Sequence, residues 1–146
     1  MTQTKTGLQW TEQYSVGVSQ LDEQHKKLFV AINGLIDVIN SSNENISREE
    51  REKRLNEVIS SLLEYKKNHF ETEEKYFKEF NFEGAKNHIA KHQEFSEKLL
   101  QIKEESRDDI FAFSFTLVDF LEDWLIEHLM TLDQEYRECF KNHGLK

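Results

Sequence analysis

A chain of 146 residues is long enough for one domain around one core, and with no proline and only five glycines it favours long helices over many short strands. A formal net charge of −9 argues against nucleic acid or an anionic membrane as a partner, while 37% hydrophobic and 32% charged residues suit helices that each show one face to water. A single cysteine, Cys139, excludes an internal disulfide and is simplest in a reducing compartment.

Residues 1–18 read as an extended arm with Trp10, Tyr14 and Val16 as anchors. Met1 to Gln13 is polar and lacks the apolar core of a signal peptide, and no stretch is long and apolar enough to span a membrane, so a cytoplasmic protein is expected. A first helix is predicted at about 19–40, capped by Ser19 with Asp22, its inner face running through Leu21, His25, Phe29, Ile32, Leu35 and Ile36. A Ser/Asn-rich loop, Asn40 to Ile46, follows.

Ser47 with Glu50 signals the second helix, predicted over 47–80, whose stripe includes Leu55, Leu62, Lys66, His69, Glu73, Tyr76, Phe77 and Phe80. Lys66 interrupts it, with a stem suited to the core and a head suited to water. After a break at Asn81–Gly84, a third helix (84–105) carries Ala85, His88, His92, Phe95, Leu99 and Ile102 inward. Ser106 to Asp109 turns the chain into a fourth helix (108–141), with Phe113, Leu117, Phe120, Leu121, Trp124, His128 and Tyr136 on its stripe. The fold class is therefore all-α: one domain, an antiparallel up-down-up-down four-helix bundle with an N-terminal arm. The eleven phenylalanines are mostly expected as core filler.

A core stripe should be apolar, because an unpaired buried polar group costs roughly 1–3 kcal/mol. Here five of the six histidines fall on inward stripes, on all four helices, and Glu73 joins them. A lone core histidine is more often hydrogen-bonded than a ligand, and a His-x-x-x-Glu pair is also an ordinary surface pair. The conjunction is what points to metal. His69 and Glu73, like His88 and His92, are four apart and sit one above the other, and antiparallel packing puts all four helices' polar residues at one level. Asp133, five residues after His128, is about 140° away on an ideal helix, which predicts a π-bulge between the two. His143, in the tail, is expected to be solvated, and no other inward titratable group is expected.

Five imidazoles with two carboxylates suit Fe, Mn, Zn or Cu rather than Ca or Mg. Seven protein ligands exceed a structural zinc site, whereas two metals sharing two bridging carboxylates would use them all. If each metal wants six ligands and a solvent-derived oxygen joins them, one receives three histidines and the other two, which leaves the second with an open position.

The segments Asp22-Glu23-Gln24-His25, His69-Phe70-Glu71-Thr72-Glu73-Glu74, His88-Ile89-Ala90-Lys91-His92 and Trp124-Leu125-Ile126-Glu127-His128 through Asp133 resemble the hemerythrin family, specifically its single-domain bacterial type, over about Trp10 to Tyr136. The resemblance implies that His88, His92 and His128 hold a coordinatively saturated iron, that His25 and His69 hold an iron with an open position, and that Glu73 and Asp133 bridge the two beside an oxo or hydroxo group. It implies end-on dioxygen binding as a hydroperoxide that takes its proton from the bridge, with no acid–base side chain. Phe70, Phe95 and Leu99 are then expected in the wall of a hydrophobic pocket that slows autoxidation. The stretch Asn40 to Arg54 is longer and more charged than a minimal member needs, which bears on surface rather than ligands.

Four readings compete, the last of them a metal-free interaction bundle, which would have to accept five buried histidines without partners. The expectation is a non-enzymatic dioxygen binder for carriage, storage or supply to an oxygen-consuming partner enzyme. The second is an oxygen, redox or iron sensor, although signalling members are usually fused to other domains. The third is a di-iron enzyme acting on peroxide or nitric oxide, but ferritin-like oxidases use Glu-x-x-His pairs and none of these histidines has Glu three residues before it. Acidic outer faces without an evident apolar patch lead us to expect a monomer.

Overall fold

The structure is a computed structural model and describes residues 7–40, 46–105 and 109–146, apart from the side chain of Ile110. The start of the arm, most of the first loop, and Ser106 to Asp108 of the third turn lie outside the described residues. Four long helices dominate: α1 (Ser19–Asn40), α2 (Arg48–Glu79), α3 (Ala85–Glu105) and α4 (Ile110–Met130). α1 packs on α2 and α4, and α3 packs on the same two, which is the neighbour pattern of an up-down-up-down bundle. No described helix is long and apolar enough to cross a membrane.

Local chemistry places the helix ends. The Ser47 side chain accepts from Glu50 N at 3.1 Å and caps α2. Asp109 accepts from Phe111 N and Ala112 N at 3.0 and 3.2 Å and caps α4. α2 stops where Asn81 takes a positive φ of 50°, a conformation asparagine tolerates, and Phe82 N then reaches back to Phe77 O at 2.9 Å. Ser19 differs from expectation. It is already helical, and Asp22 N bonds Val18 O. The Asp22 carboxylate instead receives Ser15 Oγ at 2.6 Å and Val16 N at 2.9 Å, so it ties the arm to α1.

The arm is not wholly extended. Glu12–Tyr14 forms a 3₁₀ turn, and Trp10 and Tyr14 pack their rings against Phe29 at 5.7 and 5.3 Å. Val16 is fully buried. Gly17, with φ 78°, makes the turn into α1. Lys66 is half-buried and its ammonium donates to Ser96 Oγ at 3.2 Å, so its head finds a partner on α3.

The largest departure is the fourth helix, which is not continuous to residue 141. It ends at Met130, restarts as α5 (Leu132–Glu135), and restarts again as α6 (Arg137–Asn142). The π-bulge expected between His128 and Asp133 is a break at Thr131 instead, with φ −118° and ψ −77°. The cause is local. Thr131 is β-branched, and its hydroxyl donates to Glu127 O at 2.6 Å, competing with the helix's own ladder. The Leu129 carbonyl is met by Gln134 Nε2 at 3.2 Å, and the same amide donates to Ser15 O of the arm.

Two apolar clusters fill the interior. The larger runs through Phe29, Ile32, Leu35, Leu55, Leu62, Phe95, Leu117, Leu121 and Leu125. The smaller gathers Val16, Val18, Leu21, Phe77, Tyr136 and Phe140. Each of the four long helices carries at least one buried histidine, and α2 adds the buried Glu73.

Candidate metal centre

His25, His69, Glu73, His88, His92, His128 and Asp133 are all buried, at 5% exposure or less, and all meet between the two apolar clusters. Ligand atoms of Glu73, His88, His92 and His128 lie within 4.8 Å of one another, and so do those of His25, His69, Glu73 and Asp133. Glu73 Oε1 stands 3.2 Å from both His69 Nε2 and His92 Nε2. Asp133 is 3.2 Å from His25 Nε2 and 3.0 Å from both His88 Nε2 and His128 Nε2. Each carboxylate therefore touches imidazoles of both groups and occupies the middle.

The electrostatics of the metal-free cluster follow from burial against charge. Burial, then Asp133, push the Glu73 carboxyl up, but His69 and His92 outweigh them and hold it below the usual carboxylate range. Burial likewise opposes ionisation of Asp133, and His128, His25 and His88 reverse the outcome. Burial would lower His69 and His128, yet Glu73 beside the first and Asp133 beside the second raise them. Burial, with His69 next, lowers His25, and burial lowers His92.

These residues fit a pair of cations. Both oxygens of Glu73 and of Asp133, and His92 Nε2, are buried without a hydrogen-bond partner of good geometry. His25 Nε2 and His69 Nε2 stand 2.9 Å apart, and His88 Nε2 and His128 Nε2 stand 3.0 Å apart. Two imidazole lone pairs facing at that distance need a proton or a cation between them. Ligands about 2.1 Å from one ion and at right angles to each other stand about 3 Å apart.

A cavity of about 20 Å³ abuts His25, His69, His128 and Asp133, room for one water-sized guest. Phe70 and Phe95 line it as expected; Leu99 does not, and belongs instead to an outer groove between α2, α3 and α4. Sequence reasoning did not assign Gln24, Leu28, Leu62, Tyr65, Lys66, Leu121, Trp124 or Leu125 to this wall, although Leu121 and Trp124 sit on the stripe seven and four residues before His128. Trp124 stacks on His128 with centroids 4.2 Å apart, and Phe70 stacks on His92 at 3.7 Å. Lys66 lies in the walls of both the inner cavity and the outer groove.

The expectation of no other inward titratable group needs correction. Tyr136 is fully buried, and its hydroxyl faces Glu73 without a hydrogen bond of good geometry. Burial first, then the charges of Asp133 and Glu73, push its phenol well above the ordinary range, so it stays a neutral O–H. The stripe that named Tyr136 is a valid signal for its burial; its approach to Glu73 depends on the helix break. His143 is exposed and takes no part in the cluster: it stacks on Phe80 at 4.5 Å and donates to Cys139 O at 2.8 Å.

Residues 16–139 match the hemerythrin HHE cation binding domain. A hemerythrin-like protein of Naegleria gruberi is 30% identical over 128 residues, 88% of this chain and 89% of that protein. A bacteriohemerythrin of Clostridium acetobutylicum is 26% identical over 132 residues, 87% of this chain and 96% of that one. A myohemerythrin of Theromyzon tessulatum is 26% identical over 129 residues, 88% of this chain and 90% of that one. With a cation-binding family model over most of its length and a buried His/carboxylate cluster suited to iron within the matched residues, the chain belongs to the hemerythrin family.

Proposed function

We propose that this protein binds dioxygen reversibly at a non-haem di-iron centre, for carriage, storage or supply, without catalysing a reaction. His88, His92 and His128 would hold one iron and His25 and His69 the other, with Glu73 and Asp133 between them. The iron pair, when bound, supplies the electrons and the open position that dioxygen needs. The rest falls to the chain. The observation that carries the reading is the placement of the small cavity: it touches both histidines of the two-imidazole group but, of the three-imidazole group, His128 alone.

The wall has the character such a binder needs. Phe70, Phe95, Trp124, Leu121 and Leu125 keep water from the guest. Tyr136 keeps its proton and adds no charge. Large exposed apolar side chains are spread over α1 (Val30), α3 (Leu100) and α4 (Phe115, Met130), which supports a monomer.

The test is spectroscopic. Iron-loaded protein is reduced without oxygen, exposed to dioxygen, then swept with argon. A coloured charge-transfer band that forms and then vanishes is expected. A one-way change to the oxidised spectrum would replace the carrier with an enzyme or redox sensor, and absence of iron uptake would sink the metal assignment.

A further inference from the structure

His25 and His88 each have a buried Nδ1 with no hydrogen-bond partner, and His92 Nδ1 has only the Glu74 carboxylate 3.7 Å away, beyond hydrogen-bond distance. His69 differs. Its Nδ1 lies 2.7 Å from Gln24 Oε1, across the α1–α2 interface. Gln24 Nε2 in turn donates to Thr72 Oγ1 at 3.2 Å, and the Thr72 hydroxyl donates to Asn68 O at 2.8 Å. The chain of bonds has one direction. Thr72 spends its proton on Asn68, so toward Gln24 it can only accept, and this fixes which way round the amide sits. The amide oxygen must then face His69, and an oxygen only accepts. His69 Nδ1 therefore carries a hydrogen, and the Nε2 lone pair points at Glu73 and His25.

We propose that Gln24, oriented by Thr72, is a positioning residue for the metal pair: it holds His69 in the Nδ1–H tautomer and fixes its ring plane on the two-imidazole side of the site. This rests on His69 being a metal ligand. Outer partners of this kind orient the ring and raise ligand basicity, and losing one typically weakens metal binding about 10–100-fold. Gln24 also lines the small cavity, whereas Thr72 does not, so the two residues separate a ligand-orienting role from a cavity-shaping one.

The test uses cobalt(II) titrated anaerobically into metal-free wild-type protein and into Gln24→Leu, Gln24→Glu and Thr72→Val, followed by visible absorption, with unfolding temperatures measured alongside. Wild type is expected to take two ions. Gln24→Leu should weaken uptake of one ion about tenfold or more and leave the other unchanged. Gln24→Glu, which keeps an acceptor at the same place, should restore the weakened step. Thr72→Val should weaken the same step by a smaller factor, and it carries the test if Gln24→Leu does not fold. Unchanged titrations in the folded variants, or equal weakening of both steps, would overturn the Gln24 assignment alone. Wild-type protein that takes up fewer than two ions would overturn the di-metal reading, and this proposal with it.

Discussion

His128 Nε2 lies 3.0 Å from Asp133 Oδ1 although the helix that carries the histidine ends between them. An unbroken helix would turn Asp133 about 140° away. The break at Thr131 resets the helical phase and brings a short-armed carboxylate to the level of His25, His88 and His128. Because Asp133 and Glu73 each contact both histidine groups, neither has a substitute. Asp133→Ala and Glu73→Ala should each lose iron, whereas His143→Ala should load like wild type. Iron content and visible spectra of the three purified variants check this, and equal loading would refute the ligand assignment.

Phe95 is 4% exposed, packs against Phe70 and Trp124 with centroids 5.6 and 4.4 Å away, and forms part of the cavity wall. Trimming it to alanine leaves a void and should cost about 3–5 kcal/mol of stability. The same void admits water, so oxidation of the reduced, iron-loaded protein in air should quicken. Chemical denaturation and the rate of one-way oxidation measure the two effects. A destabilised variant with an unchanged oxidation rate would make Phe95 core filler alone.

Lys66 stands between the small cavity and the outer groove, its ammonium held by Ser96 Oγ at 3.2 Å. Shortening it to alanine removes the stem that separates them. Dioxygen association and dissociation should then speed up together, with little change in equilibrium affinity, as flash photolysis or stopped flow would show. A change in affinity with unaltered association would mean that Lys66 acts on the bound state rather than on entry.

The metal-free protein should be sensitive to acid. Glu73 and Asp133 are held below the usual carboxylate range in the fold. A group with a depressed folded value adds stability above its unfolded value, about 4 for a carboxyl, and loses it as pH falls through the folded one. His25 and His92 are lowered, so they act in the same direction from about 6.5 downward. His69 and His128 are raised and act oppositely: their contribution is present below about 6.5 and is lost as pH rises through their folded values. Urea midpoints should therefore drop steeply as pH falls below about 4, and less steeply in Asp133→Asn. A wild-type midpoint that holds level into strong acid would contradict the charge pattern described for the cluster.

Much of this molecule was readable from one dimension. Four apolar stripes with a 3.6-residue period predicted α1, α2 and α3 to within a residue at each end, because amphipathic periodicity and side-chain caps such as Ser47 act locally. Imidazoles on those stripes were conspicuous for the same reason: a polar group at a core position needs a partner, and each of the five found the others. The tertiary structure decided what depends on contacts between distant segments. Thr131 breaks the fourth helix, and the freed Leu129 carbonyl is satisfied by Gln134, which also grips the arm at Ser15. Leu99 faces a groove rather than the cavity, Tyr136 turns its hydroxyl toward Glu73, and Gln24 reaches across to His69. Periodicity says which face of a helix is buried; it does not say which atom of a neighbouring helix waits there, because that is set by packing between residues far apart in the chain.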